Sequence, residues 1–173
     1  AAIIDPGGDI DLILDEIPIE TYKIDSIFLT HCHIDHAGGV QHLFQALEKQ
    51  KLPRPKLYYH SKDQLLAENI EAYALTTGLD PADYQNVPEP DCLLDDLNAI
   101  RIGSIQAKCY FTPGHAPGHV AFLFNEPDCF LHGEFAETVE SSHVVISGDT
   151  LFRDSIGRTD LPLSNHDQLL NSI

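Results

Sequence analysis

The chain has 173 residues, of which 43% are hydrophobic, and this suits one globular domain with a sizeable core. Its formal net charge is −17, from 27 acidic and 10 basic residues, and this excess repels phosphate backbones and anionic lipid surfaces. We therefore expect neither nucleic acid nor a membrane as a partner, and the apolar runs are too short to span a bilayer.

The first half of the chain alternates predicted strands and helices. Strands are predicted over residues 2–5, 26–30 and 56–60. Helices are predicted over residues 10–17, 40–50 and 61–78. The turn Pro6-Gly7-Gly8 closes the first strand. Ser61 and Gln64 form a capping-box pattern at the start of the third helix, and Gly78 is its expected C-cap.

The second half is richer in predicted strands. They fall over residues 100–102, 105–111, 120–124 and 143–146, with a further short one over 129–131. Residues 79–96 are rich in proline and acid and are predicted to be a connection. Hairpin-like strand spacing combined with the earlier helices indicates a layered α/β sandwich.

The ends of the sequence lack the signals of a complete domain. Residue 1 lies inside a strand pattern, and a helix pattern that starts at Ser164 stops without a C-terminal signal. We therefore expect residues 1–173 to be a single domain that is an interior portion of a longer chain.

The cysteines carry information about the compartment. Their positions are Cys32, Cys92, Cys109 and Cys129, and no Cys-x-x-Cys spacing occurs. Scattered cysteines fit a reducing cytosol better than a disulfide framework, so we expect a cytoplasmic location.

A dense group of metal-ligand side chains follows the strand predicted over residues 26–30. His31, His33, Asp35 and His36 fall within six positions, and imidazole and carboxylate suit Zn²⁺ and related ions. In extended chain, residues two apart point the same way. His31 and His33 can therefore reach one ion while Cys32 points away as a small buried side chain. Asp35 and His36 lie a turn further on, which indicates a second ion.

Two later loops contain further side chains of the types that bind metals. Thr112-Pro-Gly-His115-Ala-Pro-Gly-His119 lies between two predicted strands, and His115 can complete the first ion's coordination. Asp149 follows the strand predicted over 143–146, and its carboxylate can bridge two ions. His119 either orients a metal ligand or packs under its loop. The remaining histidines are expected to be solvated polar residues, namely His42, His60, His132, His143 and His166.

These motifs resemble those of the metallo-β-lactamase fold hydrolases. The stretch from Gly148 to Pro162 resembles the glyoxalase II-like branch, in its short single-domain hydroxyacylglutathione hydrolase type. The resemblance covers essentially the whole chain. It implies a four-layer αββα sandwich with the metals at one edge of the two sheets. It also implies that the first strand and the C-terminal elements of that fold fall outside this sequence.

The resemblance implies a role for each ligand. His31, His33 and His115 would hold metal one, Asp35 and His36 would hold metal two, and Asp149 would bridge both. A further family histidine that completes metal two comes after the helix beginning near Ser164, beyond Ile173. The expected cofactors are two divalent ions, zinc first, with iron or manganese as alternatives.

The implied reaction is hydrolysis of a small-molecule thioester, such as an S-acyl glutathione, by a metal-bound hydroxide. Asp149 would set the metal separation, and Asp35 would help orient the hydroxide, so these two are the predicted catalytic residues. The substrate-binding residues and the oligomeric state are left open. Arg158 and Asp160 are expected to pair and fix their loop, the alternative being that Arg158 contacts a substrate carboxylate.

Other functions remain open at this point. The main alternative is a mononuclear iron persulfide dioxygenase of the same fold, with His33, His115 and Asp149 as its facial triad. A nuclease of this fold is disfavoured by the net charge of −17. A non-enzymatic protein that binds metal poorly is the last alternative.

Overall fold

A computed structural model describes residues 1–19, 21–95, 97–125 and 143–173. Its strands are β1 (Ala2–Ile4), β2 (Ser26–Phe28), β3 (Lys56–Tyr59), β4 (Cys92–Leu93), β5 (Ala99–Ile102), β6 (Ile105–Phe111), β7 (Val120–Asn125), β8 (His143–Ile146), β9 (Leu151–Phe152) and β10 (Ser155–Ile156). Its helices are α1 (Ile10–Glu16), α2 (Ile34–Ala37), α3 (Val40–Lys49), α4 (Gln64–Ala67), α5 (Ile70–Thr77) and α6 (His166–Ser172).

Two four-stranded sheets form the framework. Strands β1 to β4 pair in chain order and all run parallel, with helices in the connections that parallel pairing requires. Strands β5 to β8 also pair in chain order but are antiparallel. Strands β9 and β10 form a separate antiparallel pair.

Two hydrophobic clusters hold these layers together. Ile27 of β2 belongs to the cluster between the parallel sheet and its helices, with Leu43 and Leu47 of α3. The next residue, Phe28, belongs to the cluster between the two sheets, with Phe122 of β7. Successive strand residues point to opposite faces, so β2 contributes to both clusters. This arrangement confirms the predicted α/β sandwich.

Among the described residues, little of the chain covers the outer face of the antiparallel sheet. Tyr110 and Val145 are exposed there, and α6 borders this face. None of the described helices has the length and hydrophobicity needed to traverse a lipid bilayer.

Helix α6 lies against the loop that carries His115. Gly114 has a φ of 141°, and a Cβ on it would lie 2.3 Å from the backbone nitrogen of Leu169. The Asn165 N–H donates to the Gly114 carbonyl at 2.7 Å, and the Ser172 hydroxyl donates to the Pro113 carbonyl at 2.8 Å. Only glycine permits this close approach at such a φ.

The predicted capping box at Ser61 is wrong. The Ser61 hydroxyl donates to Asp95, and the Lys62 N–H instead donates to Nδ1 of His60 at 3.2 Å. The cap is absent because the Asp95 carboxylate, distant in the sequence, accepts from the serine hydroxyl. The region is a 3₁₀ turn followed by α4 and α5 rather than one helix. Gly78 is confirmed as a left-handed C-cap, with φ 78°.

Three short strands are additions to the predicted set. Strand β4 lies inside the predicted connection over 79–96, and β9 and β10 follow Asp149. Each has two residues, which is too short to show a two-residue period in the sequence. The strand predicted over 129–131 lies outside the described residues.

Candidate metal centre

Three chain segments meet at one edge of the two sheets. His31, His33 and His36 lie on the segment from β2 into α2, His115 lies between β6 and β7, and Asp149 lies between β8 and β9. His31, His33 and His115 form one group whose ligand atoms all lie within 4.8 Å of one another. A second group, under the same limit, comprises His31, His36 and Asp149.

Hydrogen bonds determine which nitrogen of His31 faces the groups. The Thr30 hydroxyl donates to the Asp5 carboxylate at 2.6 Å, because an ionised carboxylate only accepts. That hydroxyl therefore accepts from Nδ1–H of His31, which lies 3.1 Å away. Nε2 of His31 is left with its lone pair.

The same logic applies to two more histidines. Nδ1 of His115 donates to the Arg158 carbonyl at 2.8 Å, and Nδ1 of His36 donates to the Asp5 carboxylate at 3.0 Å. Both rings therefore present Nε2 to the centre. Nδ1 of His33 lies 2.9 Å from Nε2 of His115, and since Nδ1 of His115 carries its own proton, Nδ1–H of His33 donates to Nε2 of His115. A cation bound there would replace that proton.

An unpartnered nitrogen tests whether these residues fit a metal. Nε2 of His31 is the single buried side-chain nitrogen or oxygen, in the part of the chain that the structure describes, without a hydrogen-bond partner. Such an atom costs free energy unless something binds it. Because it belongs to both groups, the donor set fits one or two divalent cations better than a purely structural cluster.

The pKa values of the buried rings favour the neutral form that metals require. Burial lowers the pKa of His31 well below its usual value, with neighbouring histidines adding to the effect. Burial and the nearby His115 lower the pKa of His33 to about 4. Both rings are therefore neutral near pH 7, and no proton has to be removed from an imidazolium at these positions.

His36 and Asp149 form the charged part of the centre. Nε2 of His36 lies 3.1 Å from Oδ1 of Asp149. Burial acts to lower the pKa of His36, but hydrogen bonds to Asp149 and Asp5 outweigh it and raise the pKa to about 10. Burial likewise acts to raise the pKa of Asp149, and the hydrogen bond from His36 outweighs it and lowers that pKa.

Asp35 lies at the edge of the second group. Its Oδ2 is 3.8 Å from Nε2 of His36, and its side chain is 72% exposed. Neither group contains it. Its predicted role as a ligand of metal two therefore stays a prediction, whereas His36 lies inside the group.

His119 is buried behind Asp149. Its Nε2 accepts from the backbone N–H of Asp149 at 3.0 Å, so Nδ1 carries the proton and contacts the hydroxyls of Thr112 and Thr150 at 2.9 and 3.1 Å. Burial and the nearby His115 lower the pKa of His119 to about 3. The His119 ring therefore contacts the backbone of Asp149, a predicted ligand. This agrees with the alternative in which His119 orients a metal ligand.

The sequence analysis missed two aspartates beside the centre, of which Asp5 is partly buried and Asp63 is fully buried. Asp5, at the end of β1, contacts His36 and Thr30 as described above. Asp63 has no exposed surface, and its carboxylate accepts the backbone N–H of Cys32 at 2.9 Å and of Gly118 at 2.5 Å. It thereby connects the His31–His33 segment to the loop that carries His115. A carboxylate directly after a strand was the available signal for Asp5, and Asp63 had none.

We expect Asp5→Asn to weaken divalent metal binding by about 10- to 100-fold, because the amide can no longer act as the charged acceptor for His36. Competition with a chelator measures the affinity. Asp11→Asn is the matched control, since Asp11 is an exposed residue on α1. Equal affinities of the Asp5 variant and the unmodified chain would contradict this role.

The other predicted residues have simpler surroundings. Cys32 is fully buried in the cluster beneath the helices, as expected. Arg158 and Asp160 form a two-pronged ion pair at 2.6 and 2.8 Å, which confirms the expected pairing. The expectation of a solvated His60 is wrong, because it is 7% exposed and its ring stacks on Phe111 at 4.5 Å.

The remaining three described histidines lie away from both groups. His42 contacts Gln85 at 3.2 Å, His166 contacts Thr159 at 3.2 Å, and His143 is exposed. His132 and Cys129 lie outside the described residues.

Comparisons with known proteins agree with this geometry. The family model described as the metallo-beta-lactamase superfamily matches residues 1–139. A Haemophilus influenzae protein named hydroxyacylglutathione hydrolase GloC is 29% identical over 100% of this chain and 71% of its own length. The crystal structure of TTHA1623 in a di-iron-bound form is 32% identical and has a TM-score of 0.71, covering 98% of this chain and 71% of that one. The crystal structure of BLEG-1 B3 metallo-beta-lactamase is 30% identical and has a TM-score of 0.75, covering 100% and 72%.

Proposed function

The chain belongs to the metallo-beta-lactamase superfamily, and from that premise we propose that it is a metal-dependent hydrolase that cleaves a small-molecule thioester such as an S-acyl glutathione. The observation that carries the proposal is the unpartnered Nε2 of His31 between two groups of ligand atoms. The H. influenzae relative, named as a hydroxyacylglutathione hydrolase, supports the substrate class.

We assign His31, His33 and His115 to metal one, Asp35 and His36 to metal two, and Asp149 to both. The two oxygens of Asp149 support its bridging role, since Oδ1 lies 3.1 Å from His36 Nε2 and Oδ2 lies 3.4 Å from His115 Nε2. The di-iron-bound TTHA1623 supports a site for two ions. Zinc is the ion we expect, with iron or manganese as alternatives.

The chemistry of the reaction divides between cofactor and chain. When bound, divalent ions supply an activated water and polarise the substrate carbonyl. The chain's own residues hold the donors in place: Asp5 and the Arg158 carbonyl orient His36 and His115, and His119 holds the Asp149 backbone. The thiol of the leaving group has a pKa of about 8.5, so it departs as a thiolate and needs no protonated side chain beside it.

Metal analysis combined with turnover tests the proposal. Protein purified without added metal should contain two zinc-like ions per chain and should hydrolyse S-lactoylglutathione. His115→Ala should lose metal and activity, whereas His42→Ala, outside both groups, should keep them. One iron per chain with oxygen consumption on glutathione persulfide would overturn the proposal in favour of the dioxygenase. Cephalosporin hydrolysis without thioester hydrolysis would overturn the substrate class.

The proposal also covers the cellular compartment and the class of partner. The cysteines Cys32, Cys92 and Cys109 are free, which supports a reducing, cytoplasmic compartment. The net charge of −17 supports a small-molecule substrate rather than nucleic acid or a membrane surface.

A further inference from the structure

A cavity of about 420 Å³ opens directly beside the metal centre. One wall is His33 and Ile34, the second is formed by α4 and α5, and the third is the loop of residues 161–163. Its volume lies in the range of small-molecule sites, about 300–1,000 Å³. Since His33 belongs to the first ligand group, a molecule in this cavity lies next to the metal centre.

The lining of the cavity is apolar. Leucine, isoleucine, alanine and proline side chains predominate, and the polar side chains that accompany them are those of Asn69, Tyr73 and Thr76, besides His33 and Cys32. No acidic or lysine or arginine side chain is among the described residues that line it. A charged group placed here would lose its hydration without a partner, whereas an alkyl or aryl group would gain from burial.

Two exposed leucines stand at the cavity. Leu65 on α4 is 56% exposed and Leu163 is 52% exposed, although both line it. Leu163 also has a φ of 68°, a left-handed conformation that leucine rarely adopts. Strain of this kind collects at ligand sites, where surrounding contacts maintain it.

The loop that carries Leu163 is tied to the metal centre. The hydroxyl of the next residue, Ser164, donates to the His115 carbonyl at 2.7 Å, and its N–H donates to the Leu161 carbonyl at 3.2 Å. The apolar wall and the metal-ligand loop are therefore held in one arrangement, which allows the cavity and the centre to act on one molecule.

We propose that this cavity binds the acyl chain of the thioester, and that the enzyme therefore prefers apolar acyl groups of medium length to the lactoyl group. The proposal rests on the proposed function. The thiol part of a glutathione thioester carries carboxylate and ammonium groups, which the uncharged lining cannot pair, so that part lies outside the cavity. The acyl group is the part whose chemistry matches the lining.

A series of S-acyl glutathiones with acetyl, butyryl, hexanoyl and octanoyl groups tests the preference. We expect kcat/KM to rise roughly fourfold for each methylene buried, until the cavity is filled. Leu65→Ser should lower the ratio of octanoyl to acetyl kcat/KM by roughly tenfold, since it removes apolar surface from the wall. Leu75→Ser is the matched control, because Leu75 is a 65% exposed leucine on α5 that does not line the cavity.

A binding measurement separates this inference from the proposed function. Calorimetry with uncleavable octanoyl and acetyl amides, in which NH replaces the thioester sulfur of the glutathione substrate, should show tighter binding of the octanoyl compound, by a margin that Leu65→Ser reduces and Leu75→Ser keeps. The same binding pattern without hydrolysis of any thioester would overturn the proposed function and support the cavity. Hydrolysis that does not depend on chain length, with equal binding of both amides, would overturn the cavity assignment alone.

Discussion

Asp149→Asn should lower the proposed thioester hydrolysis by about 10²–10³-fold, which is the effect of removing one preorganised electrostatic group from a hydrolytic site. Asp149 is the carboxylate whose two oxygens face different histidines, His36 and His115. The amide keeps the shape of the side chain but offers one oxygen and no charge. We therefore also expect the metal content to fall from two ions toward one, measured by elemental analysis beside steady-state kinetics.

Asp160→Asn provides the control for this variant. Asp160 lies on the same C-terminal stretch but is exposed and pairs with Arg158, so the same change there should leave metal content and turnover unaltered. If Asp149→Asn retained both ions and the original rate, the bridging role of Asp149 would be excluded.

Asp63→Ala should strongly destabilise the fold. It leaves the buried N–H groups of Cys32 and Gly118 without acceptors, and each unsatisfied donor costs about 1–3 kcal/mol, so about 2–6 kcal/mol of unfolding free energy should be lost. Because these amides flank the ligands of the first group, metal affinity should fall as well. Urea denaturation with and without zinc measures both effects.

A matched change at Asp83, which is exposed, should cost little. Asp63→Asn retains one acceptor oxygen and should fall between the alanine variant and the unmodified chain. Full stability and full zinc affinity in Asp63→Ala would show that the two loops hold together without this carboxylate.

The stability effect of Asp63 should depend on pH. Burial raises its pKa from 3.8 to about 6, against the opposing hydrogen bonds from Gly118 and Cys32. The folded protein therefore binds the proton at a higher pH than the unfolded chain does, and unfolding free energy rises as the pH falls through 6. Asp63→Asn lacks this proton, so its deficit relative to the unmodified chain should be larger at pH 5 than at pH 8. A deficit that shrinks at pH 5 would contradict the raised pKa.

Sequence periodicity was sufficient to predict the secondary structure of segments whose conformation depends on neighbouring residues. The apolar spacing over 40–50 predicts α3 correctly, and Gly78 ends α5 as expected, because these features depend on neighbouring residues. The two-residue alternation likewise separates His31 and His33 from the buried Cys32. The same local logic failed at Ser61, where a partner far along the chain, Asp95, takes the hydroxyl.

The order of residues along the chain was enough to identify the chemistry of the centre, namely histidines and carboxylates on loops that follow strands. How these side chains are held in place depends on contacts between distant parts of the chain. The contact between His33 and His115 joins residues 82 positions apart, and the hydrogen bonds of Asp5 and Asp63 span 31 and 55 positions. The ring nitrogens that face the two ligand groups, the position of Asp149 between His36 and His115 and the apolar cavity beside His33 all depend on such contacts. No periodicity encodes them, because they form only when the two sheets and their loops pack together.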